Sequence, residues 1–274
     1  MWTFLRRHPR IAIGGGMMAI LVALSLLAPL IAPFDPLKLN VSQRLKPPGP
    51  VYWFGTDAYG RDVLTRTLYG GQISLLIAVS VACLSTAIGT FVGLLAGYFR
   101  ALDAIVMRVM DGLMAIPGIL LAVAMLSLSK ASVRTVVIAI TIPEIPRVVR
   151  LVRAVVLSLR EQPFVSGAVA SGSRVPRILF RHILPNATTP IIVQATYIAA
   201  SAVLIEAYLG FLGVGTPPEI PSWGNIIAEG RNFIMLAIWA VLFPGAFLGT
   251  MVLSINILGD GIRDMLDPRI AKRV

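Results

Sequence analysis

Long apolar runs dominate this chain, and charged residues cluster in the segments between them. The hydrocarbon core of a bilayer takes roughly 20 apolar residues per helix. Six runs approach that length, at about Ile11–Ile31, Ile73–Phe99, Ala104–Leu128, Val133–Val149, Ile183–Leu212 and Phe233–Leu258. The fourth is short, and Pro143 and Pro146 are expected to break it. The first follows Arg6, Arg7 and Arg10, as a secretory signal would, but a signal's apolar core runs only about 7–15 residues. An uncleaved anchor is expected. The pattern predicts an all-α polytopic membrane protein with six transmembrane helices.

The intervening segments differ in character. PFDPLKLNVSQRLKPPGPVYWFGT, residues 33–56, resists regular structure, and its Tyr52, Trp53 and Phe54 suit a membrane interface. In DAYGRDVLTRTLYGG, Val63, Leu64, Thr67 and Leu68 share one helical face, with Arg61, Asp62, Thr65 and Arg66 largely opposite. This predicts a short interfacial helix. VGTPPEIPSWGNIIAEGRN, residues 214–232, is too long and Pro-rich for a tight turn; such loops are functional or disordered.

Composition agrees with lipid as solvent. Hydrophobic residues make up 57% of 274, charged ones 14%, against about 25% in soluble domains. Mean hydropathy is +0.83. The net charge of +11 raises the question of nucleic acid. That reading needs a basic patch with stacking aromatics on a soluble module, whereas these cations sit between apolar runs. Topology explains them better. With the N-terminus in the cytoplasm, sixteen Lys and Arg fall on inner segments and eight on outer ones. The positive-inside rule then puts both termini in the cytoplasm. Cys83, the single cysteine, lies in an apolar run and reads as a small buried hydrophobe.

Much chemistry is missing. A P-loop needs G-x-x-x-x-G-K-[ST], and none of the four lysines follows a glycine. The two histidines, His8 and His182, lie in Arg-rich segments, and one Cys with two His makes no metal cluster. The chain is not expected to be an enzyme or to bind a cofactor. Glu206, in SAVLIEAYLGFLG, sits inside the fifth run. It is either a gate or pathway residue or a carboxylate hydrogen-bonded to Ser, Thr or Tyr. Asp103 and Asp111 follow Arg100 and Arg108 by three residues, as helix-spaced pairs.

EQPFVSGAVASGSRVPRILFRHILPN forms the longest inner loop. Pro163 can open a short helix whose apolar face holds Phe164, Val165, Ala168 and Val169. Gly172 can end it, and Ser173 can cap a second helix with Pro176 in its first turn. Such a unit is a small apolar and basic knob. It either docks a soluble partner or is a solvated loop whose arginines set topology.

This loop resembles the EAA loop of inner-membrane permease subunits of ABC importers. Gly172 matches that family's glycine, and Leu184–Pro185 its Leu-Pro. The coupling helix would be about Phe164–Ser171. Ser166, Gly167 and Ala168 align with Glu-Ala-Ala, so the family's acidic residue is missing. WFGTDAYGRDVLTRTLYGGQISL, GLLAGYF, QPFVSGA, FRHILPN, EAYLGFLGVG, PSWGN and LGDGIRDMLDPR, in that order, resemble the dipeptide/oligopeptide/nickel permeases. The Gly-Arg-Asp region points to the second of the two permeases such importers pair.

The resemblance implies a type I ABC importer permease fold in a bacterial inner (plasma) membrane. It implies a second permease subunit, two cytoplasmic ATPases using ATP and Mg2+, an external solute-binding protein, and membrane lipid. No nucleic acid partner is implied. Phe164, Val165, Ser166, Gly167, Ala168, Gly172, Leu184 and Pro185 would couple to the ATPases. Pro221, Ser222, Trp223, Gly224 and Asn225 would meet the binding protein or the pathway mouth. The expected organisation is 1–32 stub and first helix; 33–71 periplasmic loop with interfacial helix; 72–262 transmembrane core, with the coupling loop at 161–185; and 263–274 cytoplasmic tail. Peptides are the commonest cargo implied; nickel chelates, glutathione, opines and sugars are alternatives. A self-sufficient carrier or channel and a non-transport scaffold are the rival classes.

Overall fold

A computed structural model describes residues 8–266. Arg6, Arg7, Arg269, Lys272 and Arg273, used above to orient the chain, lie outside the described residues. The described chain is helical, with one isolated bridge, Thr56 to Asp62, outside the helices. Nine helices carry the architecture: α1 Pro9–Leu26, α2 Val63–Tyr98, α3 Arg100–Ala115, α4 Gly118–Ser127, α5 Val133–Leu159, α6 Pro163–Ala170, α7 Leu184–Phe211, α8 Trp223–Gly230 and α9 Trp239–Leu266. Four described spans are long and apolar enough to cross a bilayer: α1, α2, α9, and α7 with its lead-in from Val175. α3 and α4 count as a fifth if the bent pair is one span. α5, with 27 residues, has the length for a sixth but carries more charge.

Three expectations about the runs change. The third run is two helices bent by 82°. Pro117 forces Ile116 into extended backbone (φ −96°, ψ 127°), which ends α3. The fourth run is not broken; α5 passes through both prolines as one helix. Neighbouring helices hold it there, since Pro146 is buried and Pro143 packs beside Gly118. The expected interfacial helix does not exist as a separate element. Residues 63–68 are the first turns of α2, and Arg61, Asp62, Thr65 and Arg66 are buried, not turned outward.

Small residues set the core. Gly89, Gly93 and Gly97 recur every four residues on α2 and meet Val148, Val152 and Val156 on α5. A Cβ at these glycines would lie 2.5, 2.8 and 2.6 Å from the three valine Cβ atoms, so only glycine lets the helices approach this closely. Ile77, Val81, Ile140, Ile183, Ile198 and Leu209 fill the space around this seam. A second cluster, Leu21, Ala78, Val203, Trp223, Met251 and Ile255, joins α1 and α9 to the core. α1 lies against the end of α9, where Gly14 leaves room for the Leu258 backbone and Arg10 pairs with Asp264 at 2.5 Å.

Asp103 and Asp111 do not pair along their own helix. Both reach α5: Asp111 binds Arg150 at 2.5 Å, and Asp103 takes both nitrogens of one edge of Arg153. Cys83 is exposed, not buried. It lines an apolar groove of about 450 Å³ between α2 and the start of α7, with Phe91, Leu94, Phe180 and Leu184.

Candidate functional site

One end of the bundle carries the start of α1, the helix α6 and the end of α9; it is called the basic end here. α6 begins with Pro163 in its first turn, where a missing N–H costs nothing. It ends at Gly172, whose φ is +73°. The Gly172 N–H donates to Val169 O at 2.9 Å and the Ser173 N–H to Ala168 O at 3.0 Å, a Schellman closure that needs a left-handed residue at Gly172. Val165 is buried and Ala168 half-buried, so they anchor the helix to the core. Phe164 and Val169 are exposed, as are Ser166 and Gly167, and nothing packs against Gly167. The Ser166 hydroxyl turns back onto Gln162 O at 3.4 Å.

Four non-helical residues, 171–174, link the knob to a helical run that continues into α7. Val175–Arg177 is one turn, with Pro176 near its start but Arg174, not Ser173, at the N-cap and no side chain capping it. A π-helical stretch, Ile178–Ile183, follows and runs into α7. Pro185 cannot donate to the Arg181 carbonyl and its ring crowds it, which explains the widened turn. Leu184 packs against the core while Pro185 is exposed. Arg174, Arg177 and Arg181 are exposed around the knob.

Glu206 lies on α7 toward the opposite end and is fully buried. Its Oε1 accepts from the Ser222 hydroxyl at 2.7 Å, and its Oε2 from the Ser74 hydroxyl at 3.1 Å. Among the described residues no basic side chain pairs with it. Ser222 caps α8, accepting from the Asn225 N–H at 3.2 Å; Ser74 accepts from the Trp223 N–H at 3.2 Å. The Trp223 indole donates to Thr67 O at 2.9 Å, and Asn225 Nδ2 donates to Thr216 O at 2.9 Å. Gly224 leaves no room for a side chain: a Cβ would lie 2.7 Å from Ala207 Cα. PSWGN is therefore a wedge between α2 and α7. Ser222, Trp223, Gly224 and Asn225, expected to meet the binding protein or the pathway mouth, are buried in this chain, and of them only Asn225 also lines the adjacent cleft. Only Pro221 is partly exposed.

A cleft of about 490 Å³ opens beside this wedge, lined by Tyr59, Phe211, Thr216, Asn225, Glu229 and Arg231 among others. Beneath it lies an ionic cluster that the sequence reading missed. Asp57 Oδ1 accepts from the Tyr59 and Arg61 backbone N–H groups at 2.8 and 3.0 Å. Its Oδ2 accepts from Arg61 Nε at 2.7 Å and Arg66 Nη1 at 2.8 Å. Arg66, 0% exposed, also binds Glu229 at 2.7 Å, and Arg61 Nη2 binds the same carboxylate. Gly60, with φ +74°, makes the turn; a Cβ there would lie 1.7 Å from Asn40 O. The cluster pins the 33–62 loop to α8, and the Trp239 indole (3.0 Å to Thr56 O) and stacked Phe54–Phe243 rings pin it to α9. Its signal was present in GTDAYGRD, two acids and an arginine around a turn glycine, but the partner Glu229 is remote in sequence.

Comparison with known proteins places this architecture. The family of binding-protein-dependent transport system inner membrane components matches residues 89–272, and the N-terminal TM domain of oligopeptide transport permease C matches residues 1–48. The chain belongs to this permease family. It is 49% identical to a probable peptide ABC transporter permease protein of Sinorhizobium fredii, over 98% of this chain and 92% of that one. It is 41% identical to a dipeptide transport system permease protein of Alkalihalophilus pseudofirmus, over 97% and 88%. The Haemophilus influenzae dipeptide permease is 38% identical, over 98% and 94%. Among solved structures, an inward-facing MetNI methionine ABC transporter chain superposes with a TM-score of 0.59 at 20% identity, covering 74% of this chain and 96% of that one. The fold of the permease is thus that of an ABC importer's membrane subunit.

Proposed function

We propose that this permease is half of the translocation pathway of a binding-protein-dependent, ATP-driven importer of di- or oligopeptides. A second permease subunit supplies the other half. The basic end faces the cytoplasm, with both termini on that side. Two ATPases, which bind ATP and Mg2+, dock there, one on α6. The 33–62 loop and the cleft beside α8 face the solute-binding protein. The bacterial inner membrane is the site, and this chain performs no catalysis itself.

The observation that carries the reading is the shape of α6. Six of its eight residues are exposed while Val165 holds it to the core. Its exit runs through the Gly172 closure and the π turn into α7, so a push on α6 is transmitted to the core helices. An apolar, cation-rimmed knob of this kind fits a groove on a soluble partner, and large exposed apolar side chains mark interaction surfaces. Ser166 offers no carboxylate, so contact through Phe164 and Val169 has to replace an ion pair. Peptide cargo is supported by the names of the relatives.

Gentle affinity purification from native membranes, with mass spectrometry, tests the assembly. Two P-loop ATPases and a second polytopic permease are expected. A chain that never brings down either would overturn the proposal. Reconstitution with the co-purified binding protein, followed by uptake of labelled dipeptides, tests the cargo.

A further inference from the structure

Arg147 stands on α5 far from either end of the bundle. Its neighbour Val148 packs on Gly89 of α2. From Gly89, α2 runs on to Tyr98, about 14 Å at 1.5 Å per residue. That is near half of a hydrocarbon core of roughly 30 Å. The Arg147 side chain is 55% exposed on this chain, while that of its partner Glu144 is 3% exposed. An ionised side chain at such depth faces a bundle interior or a water-filled cavity, not acyl chains. One turn on, Arg150 and its partner Asp111 are also exposed, at 43% and 60%. This face of α5 is therefore cationic and turned away from acyl chains.

The contacts of Arg147 are one-sided. Nη1 lies 3.1 Å from both oxygens of Glu144. Nε and Nη2 have no partner among the described residues. Those two nitrogens form the edge of a guanidinium that grips a carboxylate bidentately. Arg153, two turns away, uses this same edge on Asp103. Glu144 thus anchors the far side of Arg147 and leaves its gripping edge open.

Resting on the importer reading above, we propose that Arg147 lines the translocation path and receives a carboxylate of the passing solute on Nε and Nη2. Glu144 is the positioning residue. Its negative charge also tempers the attraction, because a pathway site must release what it binds. The solute class is an anionic or zwitterionic molecule with a free carboxylate, as every unmodified peptide is.

The test uses the whole importer, with sister permease, ATPases and binding protein, in proteoliposomes, and labelled dialanine at saturating binding protein. Arg147→Gln should lower the uptake rate at least tenfold, and Arg147→Lys should keep half or more of it. The double variant Glu144→Gln/Arg147→Gln should stay as low as Arg147→Gln alone. If the double variant recovers uptake, Arg147 is only the counter-ion of Glu144 and the proposal is overturned. A second readout needs no uptake. In a Cys83→Ser background, Arg147→Cys should be modified by membrane-impermeant methanethiosulfonate ethylsulfonate in the nucleotide-free complex. A thiol that stays unmodified in every nucleotide state would also overturn it. A wild-type assembly that holds ATPases but imports no dialanine would sink the peptide reading, while the labelling arm still reports whether position 147 is wet.

Discussion

Removing the carboxylate of Glu206 separates two roles for the most buried acid among the described residues. Glu206→Ala deletes the acceptor for Ser74 and Ser222. Side-chain hydrogen bonds inside membrane proteins average about 0.6 kcal/mol and reach about 1.7. Two of them are worth about 1–3 kcal/mol. The hydroxyl hydrogens left behind add about 1–3 kcal/mol each where they find no new partner. Both serines also hold the first turn of α8, through the Asn225 and Trp223 N–H groups. Helical serine hydroxyls can rotate onto backbone carbonyls, so the expected cost lies at the lower end of these contributions, about 3–5 kcal/mol, with the loss centred on the wedge. Glu206→Gln keeps one acceptor oxygen and should cost about 1–2 kcal/mol. At roughly 2–4 °C per kcal/mol for a domain of 150–250 residues, Glu206→Ala should lower the melting midpoint of the purified importer by about 10 °C. Fluorescence-detected size exclusion after a heat step measures this directly.

Uptake decides what the loss means. If Glu206 is structural, Glu206→Gln transports at a rate within about twofold of wild type once normalised to assembled complex. If it is a gate or couples an ion, the outcome reverses. A Glu206→Ala importer that melts like wild type but no longer transports would refute the structural argument.

Three further outcomes follow from the packing. Gly93→Ala places a Cβ 2.8 Å from Val152 Cβ and 3.0 Å from the Val149 carbonyl, so α2 and α5 must part. Overpacking of this kind costs about 1–3 kcal/mol; a lower yield of monodisperse complex is expected, with partial recovery in Gly93→Ala/Val152→Gly, and an unchanged melting midpoint would count against the seam. Arg66→Met leaves Asp57 and Glu229 short of a buried cation, a loss of about 3–5 kcal/mol. Limited proteolysis within residues 33–62 should accelerate in that variant, and equal cleavage rates would show that the cluster does not pin the loop. Gly172→Val strains a residue at φ +73° that has nothing within 4 Å, so about 1–2 kcal/mol of backbone cost arises with no clash. ATP hydrolysed per peptide imported should rise in reconstituted importer; an unchanged ratio would remove α6 from the coupling route.

The parts of this permease that were legible in sequence are those whose cause is local. Gly172 ends α6 because a left-handed turn needs glycine, and the glycine stands beside the helix it stops. Pro163 opens the same helix for an equally local reason. The parts misread are those decided across the bundle. Pro143 and Pro146 read as breakers because their lost hydrogen bonds are local, whereas the contacts that keep α5 whole, such as Gly118 against Pro143, come from α4. Pro117 did break its run, where Ile116 and Pro117 are exposed and Ile116 takes the extended backbone that a following proline favours. Arg61 and Arg66 looked like an outward polar face, since periodicity reports amphipathicity but not which side is covered. Asp57 is a local partner of both, but their second carboxylate, Glu229, stands on α8 after five intervening helices, and only the fold delivers it. The same logic made PSWGN look like a docking loop: a Pro- and Gly-marked segment with a tryptophan reads as exposed, until Ser74 and Glu206 are seen to be waiting for it in the core. Buried polar clusters are therefore where a one-sequence reading of a membrane bundle errs, because polarity along the chain is mistaken for contact with water.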